Sequence, residues 1–527
     1  MYPRLWRKTF CSVYGWSYLW LASAAILYLL GFFRPVIGVP SALLVLAATA
    51  KSILEAPEQT IPFRLFNWKW ATILVCVLLW VYLCSIGGYL PQNADQLFRN
   101  RVFLDLIQFH WPLTHEKTIL VYYIGFWLPC AALGKILGTE AGFAVLFVQA
   151  AIGVTLVFIL LCDYLEKISF RTLLILIFWG GIPTFYTFEI PGHLPFERIP
   201  LVSHYAETLH NCFIFQPWRW AYQIIENSRN LYWIYNQALP CWLGCALMLC
   251  LIKRKAYHSL PLIASLLAIF CPFQMVILLP FAAIVFLVMA ISQAKDKSSQ
   301  AEDNGSQTKN KGSGGAKFSF VIKECFRLEI LAAVLFLAAV AAYYKSGTGA
   351  AHFALLDHLP RRVIEFLVFV FCDCGIYYVL LSRPFRKNYL LHILILETAS
   401  VMFFQIGFGY DFTWRAPLPL AFFTMVFVME SLFRSDIKKW SKIAVLFVLC
   451  CSAFYQLRSF SFTIRSEIAT PCPVRPMPEQ PILISGKNLV YAGGPAILNG
   501  GGTTNSFYYE YLAPRHGEKI TESAAGD

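Results

Sequence analysis

The chain has 527 residues, 58% of them hydrophobic and only 14% charged, a balance that excludes one water-soluble globule and makes a bilayer its natural solvent. The formal charge of +13 does not point to nucleic acid, because Lys and Arg stand in short clusters between apolar runs, where they orient spans, and no basic, aromatic-interleaved domain occurs. The 16 cysteines lie mostly inside apolar runs as small hydrophobes, and Cys241 and Cys245 form an i, i+4 pair with no second pair of zinc spacing, so neither a disulfide framework nor a zinc site follows.

Arg4, Arg7 and Lys8 precede an apolar run ending near Phe33. More spans follow at once, so this reads as an uncleaved first helix with a cytoplasmic N-terminus. A helix needs about 20 apolar residues to cross the hydrocarbon core. Runs of that kind predict helices at 15–34, 36–50, 70–89, 141–162, 170–188, 233–252, 257–273, 274–292, 328–344, 363–382, 389–407, 416–433 and 442–457, about 13 spans in all.

One more run, 118–137, raises a question of parity. Lys51, Arg64 and Lys69 anchor the second and third helices inside, and Lys253-Arg254-Lys255 anchor the end of 233–252 inside, so the segments opening at Pro91 and at 187 are both outside and an even number of crossings must join them. Run 118–137 is broken by Gly125, Pro129 and Gly134 and holds Lys135 near its end; it is predicted to be an interfacial helix on the outer leaflet. The basic breaks at 163–171, 293–327, 383–388 and 434–442 then all fall on the cytoplasmic side.

The expected fold is an all-α integral membrane domain over 1–457 and a small external C-terminal tail over 458–527. Its external segments are 90–140, 187–232, 345–362 and 408–415, and 293–327 is a cytoplasmic linker. Within that linker KDKSSQAEDNGSQTKNKGSGG reads as solvated and of low complexity, and no chemistry is assigned to it. The external segments gather acids, His, Arg and Trp, and function is expected where they meet.

The segments NADQLFRNRVFLDLIQFHWP, YYIGFWLPCAALGKILG, LYWIYNQALPCWL and DFTWRAPLP, with FYYEYL near the end, resemble parts of a bacterial family of polytopic GT-C-type, glycosyltransferase-like membrane proteins, over about residues 85–425. The resemblance implies inverting transfer of a hexosyl or pentosyl group at the non-cytoplasmic face of a bacterial inner membrane. The donor would be a polyprenyl-phosphate-linked sugar and the acceptor a lipid or glycan. It also implies an acid in the first external segment, acting as general base or as ligand of a divalent metal. Asp95 is the best position and Asp105 the second. Many such enzymes carry an adjacent acidic pair, whereas Asp95 is flanked by Ala94 and Gln96, which leaves metal use open.

The chemistry asks for the same groups without the resemblance: a base for the acceptor hydroxyl and cations for the departing phosphate, for which the planar fork of Arg is suited. Arg415, beside Asp411 and Trp414, and Arg219 are the leading phosphate candidates, with Arg361 and His204 as further substrate contacts. Each has a plainer reading. Asp95 is also a possible solvated loop acid, Asp105 is expected to face solvent from a short helix, and Arg415 can snorkel or pair with Asp411. His193, His204 and His210 read as a metal site, a base or interfacial anchors. Asp373 and Glu397, inside predicted spans, mark a polar pathway or a helix end. Two rivals remain: a transporter or flippase, and a polymerase or ligase of cell-envelope glycans. Repeated halves are not detected, and no P-loop or Rossmann glycine pattern supports ATP or a nucleotide sugar.

Overall fold

The structure, a computed structural model, describes residues 8–60, 68–90, 92, 94–115, 118–181, 222, 226–303, 313–347, 354–356, 362–363, 366–367, 370–382, 386–406, 410–469, 501–503 and 506–514. They are predominantly helical. Among them are seven helices long and apolar enough to cross a membrane: Val13–Phe32, Pro35–Glu55, Thr139–Tyr164, Asn227–Lys253, Pro272–Asp296, Leu328–Lys345 and Asp411–Phe433. The chain is a multi-pass, helical membrane protein. It divides into two compact units, the first made of 1–168, 235–351 and 472–527, the second of 169–234 and 352–471. The change of unit falls within Asn227–Lys253, where the backbone leaves helical geometry at Ile234 (φ −135°, ψ 38°).

In the first unit Val13–Phe32 begins on the Ser12 cap, whose side chain accepts from the Tyr14 N–H, and Pro35 opens the next helix. The two pack closely because position 38 has no side chain; a Cβ there would sit 2.3 Å from the Leu29 carbonyl oxygen. At the Tyr14 end the fully buried Asp163 carboxylate takes the Tyr14 hydroxyl at 2.7 Å, the Thr60 N–H at 2.7 Å, the Thr60 hydroxyl at 2.9 Å and Arg254 Nη2 at 2.6 Å. A buried charge is tolerable only with partners of this number and quality. Lys51 and Arg327 meet Glu329 at the same end, at 3.0 and 3.3 Å. Lys51, Arg254 and Arg327, which the charge pattern puts on one side, are thus each tied into networks that join several helices.

Run 118–137 does not form a spanning helix. It gives a strand, Thr118–Leu120, and a helix of 10 residues, Leu128–Leu137, about 15 Å long and half of what a crossing needs. Segment 90–140 is also less loop-like than expected, because it carries the helix Ala94–Gln108. Two further expectations change. The linker is helical at both ends, as Pro272–Asp303 and Ser313–Cys325. The tail starts inside a longer helix, Lys439–Ala469, and later returns to the first unit, where Gly501–Thr503 pairs antiparallel with Thr118–Leu120, itself paired with Thr114–His115.

The second unit is built around the end of Phe170–Phe178. A helix end leaves carbonyls without intrahelical donors; here Asn227 Nδ2 reaches the Leu176 carbonyl at 2.8 Å, the Ser228 hydroxyl the Ile177 carbonyl at 2.7 Å and the Asn227 N–H the Trp179 carbonyl at 3.0 Å. The Tyr377 hydroxyl donates to the Gly180 carbonyl at 2.7 Å, and its ring stacks on Trp179 at 4.8 Å.

Candidate functional site

Asp95 stands in the first turn of Ala94–Gln108, where the helix dipole favours an acid. Arg99, one turn on, places Nη2 3.1 Å from Asp95 Oδ2; its side chain is 2% exposed while that of Asp95 is 47% exposed. The guanidinium therefore sits behind the carboxylate and leaves it open to a ligand. Neighbouring amides fix this end of the helix: Gln96 donates to the Cys84 carbonyl at 3.0 Å, and Asn100 donates to Gln92, which donates to the Ser85 carbonyl at 2.9 Å.

Phe98, Val102, Leu106 and Ile107 turn inward. Ile107 rests against position 134, where a Cβ would meet its side chain at 2.9 Å and Gly142 Cα of the next helix at 3.4 Å. Lys135 then caps the carboxyl end of the Asp95 helix, donating to the Ile107 carbonyl at 3.1 Å and the Phe109 carbonyl at 2.5 Å, with its ammonium 5.4 Å from the Trp111 ring. The Leu-Gly-Lys turn is thus the seat on which this helix is held.

Asp105 is a correction. Expected to face solvent, it is 1% exposed, because the helical repeat puts it three residues after Val102, on the inward face. Burial lowers the pKa of Arg101, one turn away, and the Asp105 carboxylate works against that shift.

Beside this helix lies a cluster of aromatic rings. Phe98 meets Tyr122 at 5.8 Å, Tyr122 stacks on Trp127 at 6.0 Å, and the Trp127 indole donates to the Tyr235 hydroxyl at 3.1 Å. The Tyr343 hydroxyl donates to the Leu120 carbonyl at 3.0 Å. Tyr508 closes the cluster: its ring packs on Tyr343 at 5.5 Å and its hydroxyl donates to the Phe32 carbonyl at 2.6 Å. Burial drives the Tyr508 phenol pKa far up. Arg34 holds the same turn through the Leu512, Ala513 and Glu510 carbonyls.

In the second unit Arg415 Nη2 lies 3.1 Å from Asp411 Oδ1 across the short helix Asp411–Arg415. The preceding Tyr410 receives Arg362 Nη2 on its hydroxyl at 2.6 Å, with the guanidinium 5.0 Å from the ring centroid. Arg415 is thus paired within the short helix and Arg362 with the tyrosine that precedes it. In the same unit Tyr222, Phe366 and Phe403 pack together at 5.3 to 6.5 Å.

Arg219, Arg361, His204, His193 and His210 lie outside the described residues, as does the Asp373 side chain. Glu397 is described, and both its carboxylate oxygens are buried without a hydrogen-bond partner among the described residues. Arg362 belongs with the arginines of the expected external segments but was not singled out beside Arg361, and the FYYEYL segment gave no role to Tyr508, whose partners are hundreds of residues away. Sequence reasoning missed Glu226, a 2% exposed carboxylate 3.4 Å from Arg229 in the second unit; the dense polar string Glu226-Asn227-Ser228-Arg229-Asn230 ahead of an apolar run was its signal.

Among the described residues no three His, Cys, Asp or Glu side chains converge as metal ligands, and Asp95 has a guanidinium beside it where a second carboxylate would be needed. The described residues around Asp95 do not by themselves complete a shell for a divalent cation. Compared with family models, curated proteins and solved structures, the chain matches none of them.

Proposed function

We propose that the chain is a GT-C-like membrane glycosyltransferase of about 13 spans, with its N-terminus cytoplasmic and its C-terminus external. It moves a hexosyl or pentosyl group, with inversion, from a polyprenyl-phosphate donor to a lipid or glycan acceptor on the non-cytoplasmic face. The observation that carries this reading is the open Asp95 carboxylate, oriented from behind by the buried Arg99 on a helix that a non-spanning helix supports. Asp95 accepts the acceptor hydroxyl proton as that oxygen bonds to the anomeric carbon, and the bond from that carbon to the phosphate oxygen breaks. Arg415, Arg362 and Arg219 are assigned to the donor phosphate, whose charge grows as it leaves.

A transporter is the second reading, favoured by the Glu397 carboxylate, which is buried with no hydrogen-bond partner among the described residues. Purified protein in vesicles, given a polyprenyl-phosphate sugar and an acceptor extract without ATP, separates the two. A new glycoside is the expected product. Movement of intact donor between leaflets with no bond formed overturns transfer in favour of transport.

A further inference from the structure

Helix Ser313–Cys325 lies in the segment 293–327 expected as a linker, mostly beyond its low-complexity stretch, and it leads directly into the spanning helix Leu328–Lys345. One side of it is fixed to the first unit. The buried Glu324 places Oε2 2.8 Å from His258 Nδ1 and 3.7 Å from Arg327 Nη1. Arg327 continues to Glu55 and to Glu329, and Glu329 takes Lys51 Nζ at 3.0 Å. The amphipathic helix is thereby tied to the ends of Pro35–Glu55 and Leu328–Lys345.

The opposite side is apolar and open. Phe318, Ile322 and Phe326, spaced four residues apart, are 69%, 40% and 71% exposed. At that spacing they form one stripe along the helix. The exposed stripe continues on the next helix through Leu331 and Val334, 47% and 62% exposed, residues that face hydrocarbon where that helix crosses. Lys323 is exposed at the flank of the stripe, and Lys309, Lys311 and Lys317 precede it in the chain. We propose that helix 313–325 lies in the leaflet at the Tyr14 end of the first unit, its Phe318–Ile322–Phe326 stripe in the headgroup and acyl boundary, and binds an acidic lipid surface. Continuity with the lipid-facing side of Leu328–Lys345 selects lipid over a protein partner, and the exposed Lys323 at the flank of the stripe selects acidic headgroups. The inference stands independently of glycosyl transfer.

Full-length protein carrying benzoylphenylalanine at Phe318, Ile322, Phe326 or, as control, Ser319 is reconstituted in phosphatidylcholine/phosphatidylglycerol vesicles, irradiated and mapped by mass spectrometry. Lipid-mass adducts at the three stripe positions should exceed those at Ser319 several-fold. Lys323→Glu should cut the Phe318 adduct at least threefold in these vesicles and less in pure phosphatidylcholine. A second arm needs no substitution: phosphatidylglycerol bearing a diazirine near the head of its acyl chain should label peptide 313–327 of the unaltered protein. No lipid adduct in either arm, or equal yield from Ser319, overturns the proposal; an adduct of twice the chain mass from the stripe overturns it in favour of a second copy.

Discussion

Asp95–Arg99 in the first unit and Asp411–Arg415 in the second are both i, i+4 pairs, and both are separated by 3.1 Å. Their surroundings make them different tools. The first sits on a 15-residue helix whose end is capped by Lys135 and whose neighbouring strand is paired to a segment near residue 500. Its arginine is almost fully enclosed, and only the acid is presented. The second sits on a five-residue helix beside a two-stranded pairing of Ala354–Leu355 with Phe404–Gln405, and a second guanidinium, Arg362, donates to Tyr410, the residue before that helix. A general base needs a fixed position and an open face; a phosphate clamp needs gathered cations. The same pair, read from spacing alone, carries no such distinction.

The largest expected effect falls on the scaffold of the first pair. Tyr508→Ala removes a buried ring and the donor to the Phe32 carbonyl, and should cost about 3–5 kcal/mol, on the scale of deleting a core aromatic. Thermal unfolding in detergent would read it, together with faster hydrogen exchange in peptides covering 94–127 and unchanged exchange in 411–433. Equal loosening of both regions would break the comparison. Gly125→Ala comes next: a Cβ at 125 would lie 2.8 Å from Ile269 Cγ2 and 3.0 Å from its carbonyl oxygen, so the close approach must open at about 1–3 kcal/mol, measurable as a lower Tm. The smallest effects belong to the second pair. Arg362→Ala and Arg415→Ala should each raise the half-saturating donor concentration about tenfold, close to 1.4 kcal/mol, and also slow turnover at saturating donor, because the phosphate charge they meet grows as it leaves. Arg415→Lys should not restore the value, because an ammonium lacks the two-pronged contact. A fall in turnover with unchanged donor affinity would assign these arginines another role.

Much of the membrane architecture was legible because it is written in local hydropathy. The helices expected at 141–162 and 328–344 are found at Thr139–Tyr164 and Leu328–Lys345, and the glycines and proline of 118–137 announce a run that does not span. For Ala94–Gln108 the sequence suggests only a short helix around Asp105 within an external segment, because Asp, Arg, Asn and Gln interrupt its apolar stripe of Phe98, Val102 and Leu106; its partners, Tyr122, Gly134 and Lys135, supply the reason the full helix folds. The roles of Asp163 and Tyr508 were hidden for a different reason. Each is defined by groups far along the chain, Tyr14, Thr60 and Arg254 for one, Phe32 and Tyr343 for the other, and no local pattern encodes them. Of the candidate site, Asp95, Asp411 and Arg415 were legible from residue type and chain position, whereas the inward turn of Asp105 depends on which face of its helix packs, and that is set by Gly134 and Lys135, far along the chain.

The central claim, that Asp95 is the base of a glycosyl transfer, is tested most directly by Asp95→Asn in a single-turnover assay with bound polyprenyl-phosphate sugar. The amide keeps the size of the carboxylate and still accepts from Arg99, but it cannot take the acceptor proton. Donor binding and thermal stability should stay close to wild type, and glycoside formation should slow by at least about a hundredfold, within the range of general-base contributions. A variant that keeps more than about a tenth of the wild-type rate contradicts the account and removes Asp95 from the role of base.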